Sequence, residues 1–272
     1  MTNLFRRSSS NVRPPAVAGQ FYPDDPVELR RMVEGLLREV KCADGPAPKA
    51  IIAPHAGYIY SGPIAASAYA RFAAARESIK RVVLIGPSHR VPFGGLAATR
   101  AETWLTPLGV IPVDTTAIQQ LRPLRQVSVL DQAHAHEHSL EVHLPFLQVV
   151  LADFKIVPLV VGDASDEDVA EVIEALWDGD ETRFVISSDL SHYHEYAMAR
   201  DLDTATARAI ESLKPQDIGE SQACGRVPIR GLLHTARRHG LHARTVDLRN
   251  SGDTAGPRSG VVGYGAFVFE AV

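Results

Sequence analysis

The 272-residue sequence has little cysteine. Cys42 and Cys224 are too few for a disulfide framework. Both thiols are expected to be free, in a reducing cytoplasm. No stretch reaches the roughly eighteen consecutive apolar residues of a membrane span, so no membrane partner is expected. Met1 to Pro15 carries Arg6, Arg7 and a serine run but no apolar segment, which excludes a secretory signal. Residues 1–15 are expected to be a flexible tail, with order beginning near Val17 to Tyr22. Basic blocks are missing too. With a formal net charge of −4 and no Lys/Arg cluster, nucleic acid is not an expected partner. Tandem repeats and long linkers are absent, so residues 16–272 are expected to form one domain.

What the chain has is a succession of short apolar runs separated by helical patterns. Ala50-Ile51-Ile52-Ala53, Val82 to Ile85, Ile156 to Val161 and Phe184 to Ile186 are continuous rather than alternating, as expected of strands buried on both faces. Helical spacing runs from Leu29 to Val40, and helices are expected over Pro63 to Ala75, Ser139 to Ala152, Asp166 to Trp177, Tyr196 to Leu213 and Ile229 to His239. Gly94 to Val113 reads as short strands and turns. Thr245 to Leu248 and Val261 to Phe269 read as two closing strands. The order implies an α/β fold with three layers (α/β/α) around a mainly parallel or mixed sheet.

Three of these runs end alike. Ala53 is followed by Pro54-His55, Gly86 by Pro87-Ser88-His89, and Ser188 by Asp189-Leu190-Ser191-His192. Ligands of open parallel sheets bind at the carboxyl ends of strands. His55, His89 and His192 are therefore expected to share one site. Neutral imidazole is the commonest metal ligand and also a general base near neutral pH.

A second cluster, His134 to His143, holds four histidines and two carboxylates. It lacks the His-Glu-x-x-His arrangement of zinc proteases. His134 and His136 are expected in a solvated loop, whereas His138, Glu141 and His143 are candidates for orienting ligands or substrate. Cys224 stands before Gly225-Arg226. Its environment admits an inert buried thiol, a thiol whose pKa Arg226 lowers, or a nucleophile with a histidine base, and spacing does not choose among them.

Taken together, Ile51-Ile52-Ala53-Pro54-His55-Ala56-Gly57-Tyr58, Gly86-Pro87-Ser88-His89, Glu137 to Pro145, Ser187-Ser188-Asp189-Leu190-Ser191-His192 and Cys224-Gly225-Arg226 resemble the Memo family. Ala16 to Pro23 fits its N-terminal motif. The resemblance implies the fold of class III extradiol ring-cleaving dioxygenases, with one transition-metal ion on His55, His89 and Cys224. His192 then becomes a neighbour of the metal rather than a ligand. Asp189, His192, His138 and Glu141 are the implied catalytic candidates. Iron is the first expectation for the metal, with copper or zinc as alternatives, because a thiolate replaces the carboxylate of the ring-cleaving enzymes and is a softer donor. Fold alone does not carry the reaction. Metal-dependent redox chemistry is the leading expectation. The alternatives are a zinc- or cysteine-dependent hydrolase and a non-catalytic protein binding a peptide or partner at a vestigial site. The implied partners are an unknown small molecule or peptide, and a radical-SAM protein with a small protein of the same pathway.

Overall fold

A computed structural model describes residues 11–41 and 45–271, and the elements below are those of these residues. Cys42 and residues 1–10 of the expected tail lie outside them. In chain order the strands are β1 (Val12–Arg13), β2 (Ala50–Ala53), β3 (Arg81–Pro87), β4 (Leu96–Ala98), β5 (Thr103–Thr106), β6 (Gly109–Pro112), β7 (Val127–Val129), β8 (Lys155–Val161), β9 (Thr182–Ser187), β10 (His192–His194), β11 (His242–Asn250) and β12 (Val261–Glu270). The α-helices are α1 (Pro26–Arg38), α2 (Tyr58–Tyr69), α3 (Thr115–Gln120), α4 (Asp131–Ala135), α5 (Leu144–Val150), α6 (Asp166–Ala175), α7 (Tyr196–Glu211) and α8 (Arg226–Arg238).

The central sheet is mixed. Strands β2, β9, β3 and β8 are adjacent and mutually parallel. β12 closes one side antiparallel to β2 and carries β11 and β10, while β4 and β7 extend the other side. The four parallel strands are the four apolar runs. Every residue of β2 is buried, as is all of β3 and β8 beyond their first residues. Each buried Val, Ile or Leu contributes about 1.5–3 kcal/mol, which favours the both-faces-covered arrangement. Helices supply the cover: α8 lies on β3 and β9, α2 on β2, β11 and β12, and α7 on β11 and β12.

Three local features depart from expectation. Val12–Arg13 is a strand paired with Thr103–Trp104, so order begins before the expected boundary at Pro15. Arg13 is buried there by a charge partner, Glu141. The helix expected from Pro63 begins at Tyr58 and ends in a 3-10 turn, Ala70–Ala75. The helix expected from Ser139 is delayed: a 3-10 turn, Glu141–His143, precedes α5. The delay has a cause. The Glu137 carboxylate accepts from the backbone N–H groups of His138 and Ser139, and Ser139 Oγ donates to Pro87 O, so this backbone serves side chains before it can wind.

Candidate metal centre

Register brings the site together. Ala53 of β2 lies opposite Ser187 of β9, and Ile85 of β3 opposite Ile186. With β9 between β2 and β3, their carboxyl ends release His55, Asp189 and His89 at one edge of the sheet. This is the edge where parallel sheets bind ligands.

Each imidazole is oriented from behind. Ser187 Oγ gives its proton to Ser139 O at 2.6 Å and lies 2.6 Å from His55 Nδ1. It must therefore accept from Nδ1–H, which leaves the His55 Nε2 lone pair free. Glu137 does the same for His89. Its carboxylate, being acceptor-only, takes the backbone N–H at 2.6 Å and Nδ1–H at 2.9 Å, leaving His89 Nε2 as the donor atom. Such oxygen–imidazole pairs fix both tautomer and ring direction in metal sites. His138 completes the group. His55, His89 and His138 each bring one ligand atom within 4.8 Å of the others. The His89 and His138 rings stack at 4.6 Å, and His55 meets them edge-on at 5.2 and 5.4 Å.

Cys224 enters from the loop before α8. Its Sγ lies 3.4 Å from His55 Nε2, and its backbone N–H donates to Asp189 O at 3.3 Å. Gly225 makes this approach feasible, since a Cβ there would sit 2.6 Å from Ser187 O and 2.7 Å from Ser188 Cβ. Asp189 accepts from the His55 backbone N–H at 2.8 Å, and its other oxygen stands 4.0 Å from His55 Nε2.

Burial governs the charges. It drives His55 well below its ordinary value and His138 to about 4, so both are neutral imidazoles, the form a metal needs. Burial raises Asp189 to about 7 against the opposing hydrogen bond from His55. Burial also pushes the Cys224 thiol up to about 12, helped by the Asp189 charge. Of the readings left open for Cys224, a thiol lowered by Arg226 is not the one found, and the Arg226 guanidinium turns to Glu220, at 3.4 Å. Burial raises Glu137, but its hydrogen bonds and the His89 imidazole prevail and hold it at about 2. Two oriented imidazoles, a third beside them and a thiol make a donor set that fits a transition metal.

The other expected residues are not members of the three-imidazole group. His192 opens β10, half-buried, and is not part of the three-imidazole group; β10 pairs irregularly with β12, and Tyr193 beside it is left-handed (φ 60) and 81% exposed. Glu141 is wholly buried and spends its oxygens on Arg13, the N–H groups of Ala16 and Val17, and Tyr22 OH. It anchors the N-terminal segment. His143 is buried against Tyr69 OH, 2.8 Å from Nδ1. His134 is not solvated as expected: it is buried, with Nε2 3.0 Å from Ala97 O, whereas His136 is exposed. Tyr58 is a packing residue donating to Val142 O.

Glu137 is the residue sequence reasoning missed. Its sequence signals were its place in the His134–His143 cluster and at the head of the Glu137–Pro145 motif, and neither gave it a role. Its main partner, His89, lies 48 residues away.

Fold and site define an α/β protein with an imidazole–thiol centre at the carboxyl ends of parallel strands. The sequence profile of Memo-like proteins matches residues 13–268. The chain is 37% identical to a MEMO1 family protein of Ignicoccus hospitalis over 95% of its own length and 98% of the relative's. It is 36% identical to one from Aquifex aeolicus, with 95% and 99% covered. The chain belongs to the Memo family. The Escherichia coli K12 protein JW3007 shares the fold at a TM-score of 0.51 and 12% identity, covering 80% of this chain and 98% of that one.

Proposed function

We propose that this protein holds one transition-metal ion on His55, His89 and Cys224 and carries out metal-dependent redox chemistry on a small molecule. The observation supporting the metal is the tautomer pair. Ser187 and Glu137 commit both Nδ1 atoms to protein oxygens and leave both Nε2 lone pairs available at one sheet edge. Cys224 Sγ, 3.4 Å from one of them, is the third donor the family resemblance implies. Iron is the first candidate; copper and zinc compete for the same donors. When bound, the ion supplies electron transfer and charge stabilisation. Asp189, His138 and His192 stand around it as the groups that accept or return protons. Glu141, saturated by the N-terminal segment, takes no part in this scheme.

A metal-free cysteine hydrolase fits less well. The imidazole against Cys224 Sγ is His55, not His192, and burial holds the thiol up at about 12, far from the thiolate a nucleophile needs. Family membership supports a radical-SAM protein and a small companion protein as partners in a shared pathway.

The test is elemental analysis of protein purified without added metal and after anaerobic iron loading, with His55→Ala and His89→Ala beside the wild type. The wild type should carry a transition metal that both variants lose. Wild-type protein free of metal under both conditions sinks the proposal and leaves a binding role.

A further inference from the structure

Beside Cys224, on the side of α8, lies a cavity of about 320 Å³ that none of the proposed ligands except Cys224 lines. Its walls mix apolar side chains, Phe93, Val161 and Val227 among them, with polar groups that include one cation, Arg226, and one anion, Asp163. The walls are built in by backbone. Gly162 approaches Phe93 so closely that a Cβ would stand 2.2 Å from Phe93 O and 2.9 Å from its ring. The same segment is tied by Asp163 N–H to Phe93 O and by Gly95 N–H to Asp163 O, both at 2.7 Å.

The two charges do not neutralise each other. Arg226 faces Glu220, which is 89% exposed, at 3.4 Å, a contact that solvent weakens and an incoming carboxylate can replace. Asp166, the other carboxylate near this helix start, is taken by Arg230 at 2.8 Å. Asp163 is an exposed residue whose carboxylate has solvent but no hydrogen bond or ion pair among the described residues. A site with a cation held only by an exposed glutamate, an anion without a protein partner and apolar side chains between is complementary to a small zwitterion with an apolar body. The volume lies at the small end of ligand pockets.

We infer that this cavity binds a free α-amino acid with an apolar side chain, its carboxylate on Arg226, its ammonium on Asp163 and its side chain against Phe93, Val161 and Val227. Bound there, the amino acid lies against Cys224. The inference names a substrate class for the proposed centre and rests on that reading for the role of Cys224, but binding itself needs no metal.

Calorimetric titration of the full chain with L-phenylalanine, L-leucine, 3-phenylpropionate and phenethylamine tests it, with Arg226→Gln and Asp163→Asn measured alongside. At least one amino acid should bind saturably. Arg226→Gln should weaken it about tenfold or more, the usual effect of losing a hydrogen bond to a charged group. Asp163→Asn should lower phenylalanine to the affinity of 3-phenylpropionate. Absence of saturable binding by both amino acids overturns the inference, as does amino-acid binding that neither variant changes. Equal affinity for phenylalanine and 3-phenylpropionate with a silent Asp163→Asn overturns the zwitterion assignment. Unchanged Tm shows that the variants fold. Metal content measured on the same samples separates the two readings: amino-acid binding without metal sinks the redox proposal alone, and metal without amino-acid binding sinks this one alone.

Discussion

Glu137 and Glu141 stand one helical turn apart in sequence, yet the structure gives them separate work, and a pair of isosteric substitutions separates it. In Glu137→Gln the side chain keeps its volume but one oxygen becomes an NH2. The wild-type carboxylate accepts four N–H groups: His89 N, His89 Nδ1, His138 N and Ser139 N. The amide oxygen can serve the three on Oε1, and the new NH2 then faces the His89 backbone N–H, donor against donor. One buried unsatisfied donor costs about 1–3 kcal/mol, and the remaining bonds lose their charge assistance. The His89 Nδ1–H then rests on a neutral oxygen, which makes the ring a less basic and less firmly oriented ligand, and metal affinity should fall about 10–100-fold. In Glu141→Gln the buried Arg13 loses its counter-charge, which should cost about 3–5 kcal/mol of stability. The metal site, with which Glu141 shares no hydrogen bond, should be spared. Chelator competition gives the metal affinity, and urea unfolding of the metal-free protein gives the stability. Undiminished metal affinity in Glu137→Gln, or equal affinity losses in the two variants at matched folded fraction, would refute the division.

Further outcomes follow from the same geometry. Cys224→Ser should abolish the sulfur-to-metal charge-transfer band of the cobalt- or copper-loaded protein, whereas His138→Ala should retain it; the reverse would make the three imidazoles the ligand set. Gly225→Ala, whose Cβ would stand 2.6 Å from Ser187 O, should cost about 1–3 kcal/mol and weaken the same band, and an unchanged band and stability would show that the Cys224 loop tolerates displacement. His134 is buried, and burial with the Arg13 charge depresses it to about 4. Between its unfolded value of about 6.5 and about 4, the unfolded chain binds a proton that the fold refuses, so this contribution to stability is full above pH 6.5 and shrinks as pH falls. His134→Gln should therefore remove about 2 kcal/mol of the stability lost between pH 7.5 and 5, read from urea unfolding at the two pH values. Identical pH slopes in wild type and variant would count against it.

Much of the fold was legible because the information was local. Ala50–Ala53 and Lys155–Val161 are buried on both faces, and such strands must be written as continuous apolar runs whatever surrounds them. The capped helices were equally plain. Asp25 accepts from the N–H groups of Val27 and Glu28 ahead of Pro26, and Ser165 forms a capping box with Asp168. Legibility failed where a distant partner decides. Val12–Arg13 is a strand because Thr103–Trp104 is there to receive it and Glu141 is there to neutralise Arg13. Neither fact has a trace within the first fifteen residues.

The site divides the same way. That His55 and His89 follow strand ends is a local fact, and adjacency of β2, β9 and β3 makes it a spatial one. Which nitrogen faces the metal depends on Ser187 and Glu137, residues 132 and 48 positions away, and no periodicity encodes such pairings. His192 follows a strand end as His55 and His89 do, but the chain turns there into β10, so it is not one of the three clustered imidazoles although it lies near enough to His55 and His89 to interact with them electrostatically. His138 follows no strand and joins the group because Glu137 holds its backbone as it holds His89. One carboxylate thus orients one of the proposed ligands and places the imidazole beside it. If the centre is redox-active, substitutions at Glu137 should disturb metal binding and proton handling together, whereas those at Ser187 should act through His55 alone.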